Sequence, residues 1–244
     1  REKENAAIQA ERERLRANLL RTISHDLRTP LTSISGNASN LLQNGDSFDA
    51  ATKRQIYSDL YEDAMWLVNL VENLLYSTRI EDGRMILSVV PELLADIMNE
   101  AMGHTAKHSA SHALSSHCED ELLVVKGDAK LLAQVIINLV DNAVKYTPAG
   151  SKITVTAERS GAFALVSVAD TGNGIPDGEK EKVFDKFYCG NHKIADNRRS
   201  LGLGLYLCKA IVEAHGGRIW VENRQPHGAV FRFTLPLEEV FKLE

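Results

Sequence analysis

A histidine followed directly by a carboxylate is the first feature of the sequence that could do chemistry. His25 and Asp26 are adjacent, and Thr29 follows four residues after the histidine, just before a proline. A neutral imidazole with an outward lone pair can attack phosphorus, and a neighbouring carboxylate can hold the ring proton. The pair therefore suits phosphoryl transfer to the histidine. A solvated histidine on an ordinary helix is the alternative that this string alone leaves open.

A second polar set lies on a helix predicted much further along the chain. Asn138, Asn142 and Lys145 recur at steps of four and three residues and share one helix face, with Tyr146 following. Amide oxygens suit Mg²⁺, and a lysine beside them suits a polyphosphate. The pattern favours a site for both, whereas a polar helix face without a ligand is the alternative.

A carboxylate and two glycines stand at the end of a predicted strand. Asp170 is followed by Gly172, Gly174 and Ile175. The carboxylate can accept the amino group of adenine, and the glycines let the backbone approach a base closely. A plain β-turn explains the same residues without a ligand.

A second glycine-rich stretch runs directly into a predicted helix. It consists of Gly202, Leu203, Gly204 and Leu205. Glycines at a helix N-terminus expose amide donors where the helix dipole is positive, and this favours phosphate. A glycine-rich turn packed closely on a sheet is the alternative.

Two long amphipathic helices must position the histidine. Apolar residues recur at helical steps on both sides of a turn at residues 43–47. One helical hairpin has a thin core, so we expect two chains to close a four-helix bundle as a homodimer. Residues 1–17 are predicted to be an incoming coiled-coil helix, with a longer chain upstream, and residues 18–84 the dimerisation and phosphotransfer domain.

Residues 85–244 alternate between strand and helix patterns and predict an α/β sandwich with helices on one face of the sheet. Asp128 is placed to cap a helix that runs to about Tyr146. Other predicted helices start near Leu93 and span residues 179–187 and 202–215. Strands are predicted at residues 85–90, 122–125, 153–157, 163–169, 218–222 and 229–235.

The composition excludes several classes of protein. A net charge of −5 argues against a nucleic-acid binder, because there is no basic surplus to neutralise phosphates. Three cysteines without a Cys-x-x-Cys spacing are expected to be reduced thiols. No apolar run has the length of a membrane helix, so a cytoplasmic fragment is expected.

Together these motifs resemble, in order and spacing, the boxes of the sensor histidine kinases. His25 stands in the phosphoacceptor box, and Phe184 and Phe187 in VFDKFY match the phenylalanine box. The resemblance extends from about residue 18 to residue 237. Within the family, LLRTISHDLRTPLTSISGNASNLL and LGLGLYLCKAIVEAHGG are most similar to the potassium-responsive KdpD group, which implies potassium or osmotic sensing.

The resemblance implies a fold shared with the ATPase domains of gyrase, MutL and Hsp90, and it also implies an activity. ATP would phosphorylate His25, and the phosphoryl group would pass to an aspartate of a response regulator, with Thr29 supporting a phosphatase activity. Asn138 would bind Mg²⁺, Asn142, Lys145 and Tyr146 would line the phosphates and ribose, and Asp170 would read adenine. Residues 189–201 would form a lid over ATP. The membrane would be reached through a sensor region absent from this fragment of a bacterial sensor.

Two departures from the family pattern bear on the lid. Cys189 stands where many relatives have an arginine that neutralises the transferred phosphate, and Lys193, Arg198 or Arg199 are the candidates to replace it. Ser200 and Leu201 also replace the usual glycine and hydroxyl residue.

Two other classes of function compete with the kinase. An ATP-hydrolysing clamp of the gyrase kind carries a glutamate base where this chain has Asn138, and an amide cannot take a proton from water. A non-catalytic dimeric scaffold is the second alternative. Separately, His104, His108 and His112 would share a helix face and could bind zinc, although a solvated helix end also explains them.

Overall fold

The computed structural model describes residues 23–24, 27–81, 87–106, 109–190 and 202–238. They belong to two compact units, the first ending at Leu75 and the second beginning at Tyr76. His25, Asp26, His108 and most of the predicted lid lie outside the described residues, as does the predicted incoming helix. Among the described helices, none combines the length and the apolar composition that crossing a membrane requires.

The first unit contains the predicted helical hairpin except for the last six residues of its second helix, which belong to the second unit. Helix α1 runs through residues 27–44, a 3-10 turn covers Gly45–Ser47, and helix α2 spans Ala50–Glu81. Asp49 starts α2, because its Oδ1 accepts a hydrogen bond from the Thr52 amide at 2.8 Å. Hydrogen bonds from the Thr52 hydroxyl and amide lower the pKa of the Asp49 carboxyl. The hairpin and its turn are therefore confirmed.

The second unit is a mixed sheet covered by helices. Its elements in chain order are β1 (Val90–Leu93), α3 (Leu94–Thr105), β2 (Ala113–Cys118), β3 (Val124–Gly127), α4 (Ala129–Tyr146), β4 (Lys152–Ser160), β5 (Phe163–Asp170), α5 (Gly204–Ala214), β6 (Ile219–Asn223) and β7 (Ala229–Pro236). The main sheet has the order β2-β4-β5-β7-β6, and β1 pairs with β3 beside it.

One face of the main sheet forms the core. Alternate residues of β4, β5 and β7 are buried, as expected for a sheet with helices on one side. Helix α4 packs on β4 and β5, and α5 packs on β6 and β7. Asp128 caps α4 as predicted, since its Oδ1 accepts the Leu131 amide at 3.3 Å. The α/β sandwich is confirmed.

One strand was missed, and two were predicted with the wrong bounds. Strand β2 pairs in parallel with β4 along a stretch to which the sequence pattern assigned no strand or helix. Its residues are mostly polar and exposed, so no period of two marks it, and only the pairing with β4 makes it a strand. Strand β3 starts at Val124, while Leu122 is 76% exposed. Strand β1 includes Pro91, which is tolerated because the pair with β3 is short and, among the described strands, β1 pairs with β3 alone.

The helix predicted at residues 179–187 is also wrong. Two separate 3-10 turns, Asp177–Glu179 and Lys182–Phe184, occupy this segment. The second is closed by a hydrogen bond from the Asp185 amide to the Lys182 carbonyl. Phe187 then takes a φ of 66°, which no right-handed helix can include. Phe184 anchors the turns, packing edge-on against Phe231 with ring centroids 6.2 Å apart.

Candidate functional site

A cavity of about 190 Å³ opens in the second unit beside the carboxyl-terminal half of α4. Helix α4 presents Asn142, Ala143 and Tyr146 to it, while its opposite face is buried in the core. The predicted site residues that line the cavity are Asn142, Tyr146, Asp170, Gly174, Ile175 and Leu205. The structure thus brings together residues from three of the four motifs.

Asp170 is the buried carboxylate of this cavity. Its side chain ends strand β5 and the residue is 6% exposed. Oδ1 accepts two backbone amides, from Gly172 at 2.8 Å and from Ala229 at 3.1 Å. Both recorded bonds fall on Oδ1, and within the described ranges no donor is bonded to Oδ2. The carboxylate is therefore fixed in orientation and keeps one oxygen to accept an amino group.

The glycines after Asp170 allow close packing. At Gly172 a Cβ would lie 2.7 Å from Thr147 Cγ2, and Gly174 has a φ of 74°. Asn223 holds the next residue, since its Oδ1 accepts the Ile175 amide at 2.8 Å and its Nδ2 donates to the Ile175 carbonyl at 2.9 Å. The loop that carries Gly174 and Ile175 is consequently locked to the end of β6.

The site also requires a glycine at position 228, which the sequence pattern did not reveal. Its φ is 119°, and a Cβ there would collide with the Asp170 carbonyl. Neither Gly228 nor Asn223 belongs to a recognisable motif. Both contact a loop about fifty residues earlier in the chain, and a local sequence pattern cannot reveal such a contact. A glycine after Pro226 suggests only an ordinary turn.

The second glycine stretch supports the cavity more than it lines it. Gly202 has a φ of 64°, and a Cβ there would lie 2.5 Å from the Tyr188 carbonyl oxygen. The Phe187 amide donates to the Gly202 carbonyl at 3.0 Å. Leu203 is buried and Gly204 begins α5, which leaves Leu205 as the member of this stretch in the cavity wall.

Gly190, from the predicted lid, also lines the cavity, whereas the other residues of its wall were not predicted. They are Ala143, Thr147, Asn173, Pro176, Glu179, Val183, Tyr188, Ala229 and Phe231. Loss of hydration, and then hydrogen bonding to Glu179, raise the pKa of the Tyr188 phenol. Asn173, Pro176 and Tyr188 each lie within three residues of a predicted site residue, namely Asp170, Gly174 or Phe187. That proximity is the only signal in the sequence that could have identified them.

Asn138 and Lys145 are not in the cavity wall. Asn138 Oδ1 accepts a hydrogen bond from Gln134 Nε2 at 3.0 Å, and its buried Nδ2 has no hydrogen-bond partner among the described residues. Lys145 Nζ lies 5.4 Å from the centre of the Tyr146 ring. Of the two asparagines on this helix face, Asn142 is the one that reaches the cavity.

The phosphoacceptor motif belongs to the first unit. Thr29 is exposed on α1, whereas His25 and Asp26 lie outside the described residues. The predicted histidine face on α3 is wrong, because that helix ends at Thr105 and His112 follows it, with Nδ1 at 2.9 Å from the Ser111 hydroxyl. In the parts of the chain that the structure covers, no group of histidine, cysteine and acidic residues is arranged to hold a metal.

Two family models match the chain. Residues 15–83 match the His Kinase A (phospho-acceptor) domain, and residues 127–239 match the histidine kinase-, DNA gyrase B-, and HSP90-like ATPase. Among solved structures, the catalytic domain of the histidine kinase ThkA is 32% identical, with a TM-score of 0.53, and the match covers 61% of this chain and 96% of that one. ThkA in complex with the response regulator protein TrrA gives a TM-score of 0.64 at 27% identity, over 94% of this chain and 64% of that one.

Curated relatives extend the similarity over nearly the whole chain. The sensor protein KdpD of Clostridium acetobutylicum is 41% identical over 97% of this chain, and KdpD of Escherichia coli is 36% identical over 99%. The sensor protein DivL of Caulobacter vibrioides is 32% identical over 96%. The chain spans 26% of either KdpD and 30% of DivL, so it corresponds to about a quarter of these relatives.

Proposed function

The chain belongs to the histidine kinase family, and from that premise we propose that it phosphorylates its own His25 with ATP. The phosphoryl group then passes to an aspartate of a response regulator. The observation that carries the proposal is the Asp170 carboxylate, which is buried in the cavity with Oδ1 saturated by two backbone amides. A site built this way selects a ligand with an amino group, as adenine has.

The chain's own residues divide the reaction between them. His25 attacks the γ-phosphorus through a ring nitrogen, so that an N–P bond forms while the bond to the bridging oxygen breaks and ADP leaves. Asp26 holds the other ring nitrogen's proton and offsets the positive charge on the imidazole. In the second step a regulator carboxylate takes the phosphoryl group and His25 returns to its neutral form. Water attack on that acyl phosphate, oriented by Thr29, would reset the regulator.

The amide-rich face of α4 fits a Mg²⁺ ion. The ion would neutralise charge on the ATP phosphates. We propose Asn138 as its ligand, together with Asn142 at the cavity wall. The ion would be bound through the amide oxygens of these two side chains, and Asn138 Oδ1 would exchange its hydrogen bond from Gln134 Nε2 for the ion. Separate alanine variants of the two asparagines, compared for Mg²⁺-dependent ATP binding, will assign the contact.

A homodimer is proposed on the exposed apolar side chains of α2. Six of them recur at alternating steps of four and three residues and remain exposed, which is the pattern of a helix seam without its partner. They are Tyr57, Tyr61, Ala64, Val68, Val71 and Leu75. A second copy of the hairpin would cover this seam and complete a four-helix bundle.

Incubation with γ-labelled ATP and Mg²⁺ tests the proposed function. Label that is lost in acid and stable in base identifies phosphohistidine, and transfer to a purified receiver domain completes the reaction. Release of free phosphate without labelled protein would instead support the ATP-hydrolysing clamp. Absence of both products would support the dimeric scaffold. The sensing of potassium, which the sequence resemblance to the KdpD group implies, is to be tested in the full-length protein.

A further inference from the structure

Asp128 uses all its polar groups to join three parts of the second unit. Its Oδ1 caps α4 through the Leu131 amide at 3.3 Å, and its Oδ2 accepts the Ser88 amide at 3.1 Å. Its own amide donates to His215 Nε2 at 3.0 Å, and its carbonyl accepts the Leu132 amide at 3.0 Å. A residue needed only as a helix cap would require the bonds to the Leu131 and Leu132 amides alone.

His215 holds the other side of this junction. It is 7% exposed at the end of α5, and its Nδ1 donates to the Ile211 carbonyl at 2.7 Å. With the proton on Nδ1, Nε2 is free to accept the Asp128 amide. Gly127 allows this approach, because a Cβ there would lie 3.0 Å from the His215 ring and 2.6 Å from Leu132 Cδ1.

The junction lies at one end of the pair formed by α4 and α5, and the cavity lies at the other. Asn142 is fourteen residues beyond Asp128, about 20 Å along a helix. Leu205, at the start of α5, lines the same cavity, while His215 is at the far end. Ser88 belongs to the segment through which the chain passes from α2 into the sheet, and Leu87 beside it packs on the core.

We propose that Asp128 is a positioning residue that fixes the entering segment, at Ser88, to the two helices that form the cavity. This proposal rests on the proposed kinase function. In that reaction the nucleotide bound by the second unit must meet His25 of the first, and the entering segment follows the end of α2, the helix in which the chain passes from the first unit to the second. Fixing the segment that follows this helix limits the orientations that the bound nucleotide samples, which raises the frequency of productive encounters.

Two variants remove the anchor from opposite sides. Asp128→Ser keeps a good helix cap but has no second oxygen for Ser88, and Ser88→Pro removes the amide donor while leaving Asp128 intact. Ser88→Ala is the matched control, because it keeps the amide. We expect both anchor variants to lower the rate of autophosphorylation at saturating ATP by about tenfold, with an unchanged KM for ATP. The double variant is expected to be no slower than either single one.

The possible results separate the anchor from a purely structural role and from failure of the kinase proposal. Unchanged rates in both variants, or a rise in KM that accounts for the lost rate, would overturn the anchor. If the wild-type protein binds ATP but forms no phosphohistidine, the kinase proposal fails, and amide hydrogen exchange then tests the anchor directly. Protection of the Ser88 amide that disappears in Asp128→Ser supports it, and an unprotected wild-type amide refutes it.

Discussion

The two units of the molecule bury their apolar side chains to different extents. In the described part of the first unit, the buried apolar residues are Ile23, Pro30 and Leu70, and large side chains such as Val68, Val71 and Leu75 are about half exposed. The second unit gathers its apolar residues from α3, α4, α5 and the main sheet into one continuous core. We therefore expect the first unit to need a partner to become stable, and the second to fold and hold a ligand by itself.

This difference assigns separate chemistry to each unit. A fixed cavity with a buried carboxylate requires a closed core, because the orientation of Asp170 depends on the Ala229 amide from a distant strand as well as on the Gly172 amide nearby. A phosphoacceptor must instead be reached by the nucleotide and by a regulator, which suits an exposed helix. A substitution in one unit should therefore impair the role of that unit and leave the role of the other unchanged.

His25→Gln is expected to abolish phosphohistidine completely while leaving ATP affinity unchanged, because the nucleophile and the cavity belong to different units. The measurement is acid-labile protein label alongside nucleotide titration. His117→Gln, at an exposed position on β2, is the control and should label normally. Residual label in His25→Gln would show that another residue is the acceptor.

Asp170→Asn should weaken ATP binding by about 100-fold, since it converts an acceptor into a donor that faces the adenine amino group. Oδ1 can still accept the Gly172 and Ala229 amides, so the variant should remain folded. Calorimetric titration measures the affinity. Glu158→Gln removes the same charge from an exposed strand position and should bind ATP normally. Equal affinities for the two variants would exclude Asp170 as the adenine contact.

Val71→Glu is expected to weaken dimerisation by about 30-fold, because each dimer would bury two unpaired carboxylates in the seam. Sedimentation velocity across a concentration series measures this change. Leu122→Glu alters a more exposed apolar residue in the second unit, at 76% exposure, and should leave the dimer intact. A monomeric wild-type chain at micromolar concentration would contradict the bundle.

The pH dependence of the free energy of unfolding will show whether water is excluded from the core of the second unit around Cys208. Burial raises the pKa of its thiol from 9.0 to about 12. The folded state thus keeps a proton that the unfolded state releases, so the stabilisation is complete below pH 9 and is lost as the pH rises towards 12. At pH 10 the loss should be about 1.4 kcal/mol, tenfold in the unfolding constant.

Denaturant unfolding of the wild type and of Cys208→Ala at pH 8 and pH 10 isolates this contribution, because the other titrating groups are common to both proteins. Cys118→Ala is the matched control, at a half-buried cysteine whose pKa is also raised by burial. It should alter the pH dependence less. Parallel pH profiles for the wild type and Cys208→Ala would mean that water reaches the thiol.

Thr29→Ala should have the smallest effect, confined to the first unit. Autophosphorylation and transfer should persist, while removal of phosphate from the regulator slows several-fold. A time course that separates labelled kinase, labelled regulator and free phosphate measures each step. If Thr29→Ala and Asp26→Asn lost the same step to the same degree, the proposed division between phosphatase and kinase residues would be wrong.

The parts of the fold that could be predicted were those encoded locally. The hairpin, α4 with its Asp128 cap, and the β4–β5 pair follow from periodicity, capping residues and a glycine turn, all within a few positions of one another. Strand β2 could not be found this way, because a polar edge strand is defined by its partner. The turns at residues 177–184 were not predicted for a similar reason, since Phe184 is held by Phe231 of the distant strand β7.

The sequence by itself determined which chemical groups this protein has and on which local elements they lie: His25 beside Asp26, Asn142 on α4, and Asp170 at the end of a strand. Tertiary structure alone decided which of them meet. Asp170 is oriented by the Ala229 amide 59 residues away, and that contact depends on Gly228, which no motif marks. Helical and turn propensities act between near neighbours, whereas a cavity wall forms from distant segments that pack together only when the whole sheet is complete.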